Sequence, residues 1–221
     1  MINKQSNQSI ASFMKKLMKI KTIVILVFVL FSTIAQAQTV ELTAAYGYQF
    51  GSKLEYGYNN YIKFDEGDQY SFTIGVDMFK GVMTEVTYVH QSTEISAKYN
   101  ALSERRISDL NADWIMVGAS KYLTKNNLRP FIGGALGAAI FNANNEIPVV
   151  GKIDTQWYFA VSLKAGVNYM FTEQFGINVQ GNMMFPIEWG GVYIGTSGAG
   201  VSGSSSTLIG GFSGGLVYRL K

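Results

Sequence analysis

Residues 175–189 carry seven large apolar side chains on one parity, Phe175, Ile177, Val179, Met183, Phe185, Ile187 and Trp189, while Gly176, Asn178, Gln180, Asn182 and Glu188 hold the other. A period of two belongs to an extended strand, whose successive side chains leave opposite faces. An α-helix, with its period of 3.6, would scatter the same residues around its whole surface. The segment therefore reads as a strand with one apolar face and one small or polar face.

The split recurs along the chain. Trp157, Phe159, Val161, Leu163, Val167, Tyr169 and Phe171 oppose Ser162, Lys164, Gly166 and Asn168. Val40, Leu42, Ala44, Tyr46, Tyr48 and Phe50 alternate with Glu41, Thr43, Ala45, Gly47 and Gln49; Tyr70, Phe72, Ile74, Val76 and Met78 alternate with Ser71, Thr73, Gly75 and Asp77. Leu208, Phe212, Leu216, Tyr218 and Leu220 share one parity near the end of the sequence. Weaker patterns over 82–93, 111–123 and 129–141 bring the expected number of strands to about eight. Ten residues at roughly 3.3 Å each, tilted by 35–45°, cover a hydrocarbon slab of about 25 Å.

The links between strands alternate in length. Short turns are expected at 79–81, 125–127 and 172–174, and long polar links at 51–69, 95–110, 142–155 and 190–206. Such alternation fits antiparallel neighbours joined up and down, and is expected to put both termini on the short-turn, periplasmic side.

Either a soluble barrel with its apolar face inside or a membrane barrel with that face outside would satisfy the alternation. The opposite parity separates them. A soluble sheet covers its solvent face with long charged groups, whereas here that face is mostly Gly, Ala, Ser, Thr and Asn, which suit a narrow interior. The ionisable residues on it, Glu41, Asp77, Glu85, Asp113 and Glu188 against Lys121, Lys164, Arg219 and Lys221, are expected to form a paired network in the lumen. Trp114, Trp157 and Trp189 near the long links, and Tyr122, Tyr169 and Tyr218 near the short turns, are expected to form interfacial girdles.

The first 37 residues follow a different rule. Lys15, Lys16, Lys19 and Lys21 precede an apolar run over 23–31, and Ala35-Gln36-Ala37 follows in the order of a secretory signal peptide. The run is shorter than the roughly 20 residues an α-helix needs to cross a bilayer. The expected division is a cleavable signal at 1–37 and a barrel domain at 38–221. The signal holds five lysines and no acid, so of 18 Lys and Arg only 13 remain, against 15 Asp and Glu. The basic character of the full chain is thus a property of its leader, which removes the argument for nucleic-acid binding. Cysteine is absent, which excludes disulfides and thiolate metal sites.

By these features the sequence resembles the small OmpA-like and OmpX-like outer-membrane barrels, particularly the β-barrel domains of Bacteroidota outer-membrane proteins. Arg129-Pro130-Phe131-Ile132-Gly133-Gly134-Ala135-Leu136-Gly137 resembles the R-P-Y-x-G-x-G-x-G strand common in that group, and Gly215-Leu216-Val217-Tyr218-Arg219 its terminal strand. The chain departs from the pattern in ending on Leu220-Lys221 rather than on an aromatic residue. The resemblance implies an all-β, eight-stranded antiparallel up-and-down transmembrane barrel in the outer membrane. It implies contact with outer-membrane lipid and lipopolysaccharide, and a structural, adhesive or complex-forming role through external loops that engage a protein partner. A narrow porin-like channel is the alternative.

No residue set compels an enzymatic reading, and no cofactor or metal is expected. Asp65-Glu66-Gly67-Asp68 reads as a solvated acidic loop, and the Gly- and Ser-rich 195–205 lacks the Lys-Ser/Thr ending of a phosphate-binding loop. The single histidine stands in His90-Gln91-Ser92, an H-x-S spacing similar to that of the PagL-like lipid A deacylases. On a strand His90 and Ser92 share the lipid-facing side, with Glu94 or Glu104 as candidate orienting acids. In the first long link, Tyr56, Tyr58 and Tyr61 are candidate contacts for a partner.

Overall fold

The computed structural model describes residues 39–55, 60–79, 81–98, 103–124, 126–145, 154–187, 192–195, 198–201 and 208–220. They form twelve strands: β1 (Val40–Gln49), β2 (Ser52–Glu55), β3 (Tyr61–Phe64), β4 (Gly67–Phe79), β5 (Val82–Lys98), β6 (Arg105–Tyr122), β7 (Leu128–Asn144), β8 (Gln156–Met170), β9 (Phe175–Ile187), β10 (Val192–Gly195), β11 (Gly198–Val201) and β12 (Ile209–Leu220). Eight of them, β1, β4 to β9 and β12, close into an antiparallel barrel. Leu42 of β1 pairs with Ile74 of β4 on one side and Tyr218 of β12 on the other, so no barrel edge is left open there.

The long links are shorter than the sequence suggests, because pairing continues beyond the apolar pattern. β5 and β6 run together from Val82↔Lys121 out to Ala97↔Arg105. β3 pairs with the far end of β5, and β2 with β3, so a hairpin stands where an irregular link was expected. β10 and β11 form a second hairpin within the last link. Backbone hydrogen bonding does not need alternating hydrophobicity once a strand has left the apolar zone, which is why these extensions carry no periodic signal. With 17, 18 and 17 residues, β5, β6 and β7 are roughly 55–60 Å of strand each, well beyond a belt of about 25 Å. The wall is therefore tallest on that side. The short turns lie where expected, and Gly81 supplies the positive φ of 90° that the β4–β5 turn requires.

Register fixes which parity faces out. Val86, Val117, Ile132, Leu136, Leu163, Val179 and Leu216 are each more than half exposed on the outer wall. Inside lie Glu41, Gln49, Gln69, Thr73, Glu85, Gln91, Asn168, Asn178 and Ser213, all buried. This is the inverse of a soluble barrel. The interior also holds an apolar plug of Val89, Ala112, Trp114, Met116, Ala139, Ala160 and Met184. Eight strands leave a bore that side chains can fill, and small residues make room for the large ones. A Cβ at Gly166 would stand 2.8 Å from the ring of Phe131.

β6 corrects part of the sequence reading. Both of its parities carry large residues, and a girdle position for Trp114 and Tyr122 requires the even one to face lipid. Pairing with inward Val89 of β5 and Ala139 of β7 turns Trp114 into the lumen. There it is fully buried, and its indole N–H donates to Gln91 Oε1 at 3.1 Å. Tyr122 likewise points inward and donates to Glu41. Neither belongs to a girdle. Asp113 and Lys121, expected in the lumen, lie on the outer parity with exposed Ile115 and Val117. Trp157 and Tyr169 do face outward and exposed; Trp189 lies outside the described residues.

Candidate functional site

The short-turn half of the bore contains two ion pairs. Arg219 Nε lies 3.0 Å from Glu41 Oε2, and Lys164 Nζ 2.5 Å from Glu85 Oε2, all four side chains at most 15% exposed. Asn168 donates to Glu41 Oε1 at 3.1 Å and to the Tyr122 hydroxyl at 2.7 Å. Asn178 donates to Asn168 Oδ1 at 2.6 Å, and the Ser120 hydroxyl to Glu85 Oε2 at 3.0 Å. Two adjoining sets result, Glu41 with Arg219, Tyr122, Asn168 and Asn178, and Glu85 with Lys164 and Ser120, and together they draw on six strands. The space left among Glu41, Glu85, Tyr122, Lys164 and Asn168 is about 10 Å³, room for about one water molecule.

Of the residues expected in that network, Glu41, Glu85, Lys164 and Arg219 meet. Asp77 has the inward parity, but its carboxylate accepts from the Gly81 N–H at 3.3 Å and serves the turn. Asp113 and Lys121 are on the outer wall, for the register reason given above. Glu188 and Lys221 lie outside the described residues. Asn168, Asn178 and Ser120 are lumen partners outside the network expected from the sequence, and Tyr122 is one expected in a girdle. Neutral residues carry no charge-balance signal, although the inward parity of Asn168 and Asn178 was readable.

On the outer wall, toward the long-strand side, β4, β5 and β6 bring Tyr70, Tyr88, His90 and Asp113 together. His90 and Asp113 are direct cross-strand partners. His90 Nδ1 lies 2.7 Å from Asp113 Oδ1, the Tyr88 hydroxyl donates to the same oxygen at 2.6 Å, and the Tyr70 ring stacks on the imidazole at 4.8 Å. Ser92, next on the same face of β5, donates to Asn111 Oδ1 at 3.1 Å. Glu104 is not the orienting acid proposed from the sequence: it accepts from the Tyr61 hydroxyl at 2.6 Å, because pairing of β3 with the far end of β5 carries it away from His90. Nor does Glu94 serve, since it pairs with Arg106 at 3.5 Å.

Beyond this set the extended strands form a polar rim. Asp65 pairs with Lys63 and accepts from the Ser96 hydroxyl at 3.0 Å. Asp109 accepts from Asn145 at 2.6 Å and pairs with Arg106; these partners hold its carboxyl below the usual carboxylate range. The bond to Glu104 raises the Tyr61 hydroxyl above the ordinary phenol value, and Lys53 Nζ lies 4.1 Å from the Tyr61 ring centre. Tyr61 is therefore engaged within the β2–β3 hairpin, while Tyr56 and Tyr58 lie outside the described residues. A polar cleft of about 560 Å³ opens between Asp65, Glu66, Ser92, Glu94, Asp109 and Asn111.

No protein-family model matches the chain, and no curated protein matches it in sequence. Solved structures do match in fold. Neisserial surface protein A (NspA) aligns with a TM-score of 0.55 and 15% identity, over 84% of this chain and 98% of that one. The outer membrane protein OprG from Pseudomonas aeruginosa aligns with a TM-score of 0.59 and 14% identity, over 84% of this chain and 97% of that one. The chain is thus an all-β, eight-stranded closed antiparallel barrel with the architecture of outer-membrane barrels.

Proposed function

We propose that this chain is an outer-membrane protein whose barrel is a filled anchor and whose work is done on its outer wall and on the strands and loops projecting from it. The observation that carries this reading is the pairing of an apolar exterior with a plugged interior. Large aliphatic groups are exposed around the wall, while the bore is closed by Trp114, Met116 and Met184 and by the Glu41–Arg219 and Glu85–Lys164 pairs. Exposed apolar area on this scale needs lipid around it. Residues 1–37 serve in this reading as an export signal cleaved after Ala37, and N-terminal sequencing of the protein from membranes tests that.

A conducting pore is the weaker reading, because a residual space of about 10 Å³ passes no solute. Planar-bilayer recording is expected to give no steady conductance; discrete open levels that change in Glu85→Gln would support a channel instead. For the projecting part, a partner protein is the reading favoured by the β2–β3 hairpin. Replacing 52–64 with a short linker should preserve heat-modifiable migration on gels, the mark of a folded barrel, while abolishing crosslinking to surface partners in intact cells. Unchanged crosslinking would move the contact to another loop.

A further inference from the structure

The last of the projecting links contains a sheet that the barrel does not use. β10 and β11 pair with each other in the register Val192↔Val201, Tyr193↔Gly200, Ile194↔Ala199 and Gly195↔Gly198. Among the described residues neither outer edge of this hairpin meets another strand. Each edge is a row of open backbone donors and acceptors, the template on which a further strand adds. Two strands alone are marginal in water, and added strands are what make such a sheet stable.

Nothing in its sequence refuses an added strand. Register places Val192, Ile194, Ala199 and Val201 on one face of the hairpin. From Trp189 to Tyr218 the chain contains no Asp, Glu, Lys, Arg or His, and no proline follows Pro186. Charge on an edge strand is the usual protection against strand addition. β2, which ends the larger sheet, has it in Lys53 and Glu55; β10 and β11 do not. Of the two edges β10 is the better template, since Val192-Tyr193-Ile194 are strong strand formers and β11 is rich in glycine.

Three occupants compete for that edge. Lipid fails, because hydrocarbon offers no partner to open N–H and C=O groups. A foreign protein would find no charged group on the hairpin by which to be selected. A second copy needs none: two uncharged strands meet without like-charge repulsion, and anchorage in one bilayer raises their effective concentration.

The wall below agrees with that choice. The hairpin is tethered to the upper ends of β9 and β12, which are neighbours in the barrel. The link 188–191 spans at most about 14 Å, so copies have to meet on this side. Here the wall is low, with 13 residues in β9 and 12 in β12 against 17 and 18 in β5 and β6. On its outer parity Gly181, Gly210 and Gly214 surround the exposed Phe212, and a Cβ added at any of them would meet nothing nearer than 3.6 Å. Packing inside the barrel does not demand glycine at these positions, whereas the close approach of a second wall does.

We infer that two copies of this chain in one membrane join through the β10 edges of their hairpins, with their β9–β12 walls in contact below. The inference rests on the reading of the barrel as a lipid-embedded anchor with working projections, and its surface is separate from the β2–β3 hairpin. Each copy offers the same edge and the same wall patch, so the contact is isologous and closes at two.

The full chain is to be folded in phosphatidylcholine vesicles at low density from a mixture of donor-labelled and acceptor-labelled copies, with folding verified by heat-modifiable migration. Energy transfer above the level of random encounter is expected. Ile194→Lys in both copies, and replacement of 192–201 by a Gly-Ser linker, should each reduce transfer to that level with migration unchanged. Mixing Ile194→Lys copies with Ile194→Glu copies should restore it, a rescue that mere damage to the hairpin would not allow. Replacing 52–64 should leave transfer as in the parent. Random-level transfer in a folded, inserted parent overturns the inference, and so does transfer that survives Ile194→Lys or a Lys and Glu mixture that regains nothing. Loss of transfer on replacing 52–64 also overturns it, by moving the contact to the other hairpin. Transfer between vesicles reconstituted apart would put the second copy in a facing membrane and overturn the shared-membrane assignment. A chain that stays in water as a monomer would instead defeat the lipid-embedded reading itself.

Discussion

Replacing Lys164 by Met removes one partner of the buried pair with Glu85. The two side chains are 15% and 9% exposed and their charged atoms 2.5 Å apart, so the carboxylate left behind is largely shielded from water. Stranding a buried charge costs about 3–5 kcal/mol. The hydroxyl of Ser120 still donates to Glu85 at 3.0 Å, which places the loss at the low end, about 3 kcal/mol, or roughly a 150-fold shift in the folding equilibrium. The paired substitution Glu85→Gln with Lys164→Met leaves no charge to strand and should lie within about 1 kcal/mol of the parent. Denaturant unfolding from lipid vesicles, followed by tryptophan fluorescence, gives both numbers. If Lys164→Met alone costs under about 0.5 kcal/mol, the pair is bathed in water, the bore is open, and the filled-anchor account fails.

Other substitutions separate the two faces of the wall. Trp114→Ala empties the apolar plug and should cost about 3–5 kcal/mol, measured in the same unfolding assay; a girdle tryptophan would lose much less. Leu163→Arg, on the exposed outer face, should cost about 2–4 kcal/mol in vesicles, whereas an outer face covered by water would tolerate it. Asp109, with its carboxyl held low by Asn145 and Arg106, stabilises the rim above the unfolded carboxylate value of about 3.9. That contribution is lost as pH falls through the lower folded value, so hydrogen-exchange protection at Asn144 should drop on acidification in the parent and be flatter in Asp109→Asn.

Much of this architecture was legible from residue parity. Strands such as β8 and β9 have a single apolar face, so their orientation follows from the amino acids alone. β6 does not: Trp114, Met116 and Tyr122 on one parity compete with Ile115 and Val117 on the other, and hydrogen-bond register with β5 and β7 decides between them. One choice of face carried Asp113 and Lys121 with it, which is why the lumen network was only partly foreseen. The same error concealed the acid beside His90. With Asp113 assigned inward, the sequence offered Glu104 instead, a residue whose position depends on pairing of β3 with β5 that no periodicity announces. His90 and Ser92 were readable as a pair because strand geometry alone places them on one face.

The account turns on lipid being the solvent for the outer parity. The chain contains no cysteine, so single cysteines carrying spin labels can be placed in turn at 161–168 of β8, and their collision rates with oxygen and with a water-soluble relaxant compared in vesicles. Positions 161, 163, 165 and 167 should be oxygen-accessible and closed to the water-soluble agent, with 162, 164, 166 and 168 shielded from both. Odd positions shielded from oxygen, in a protein that remains monomeric in water without lipid, would contradict it.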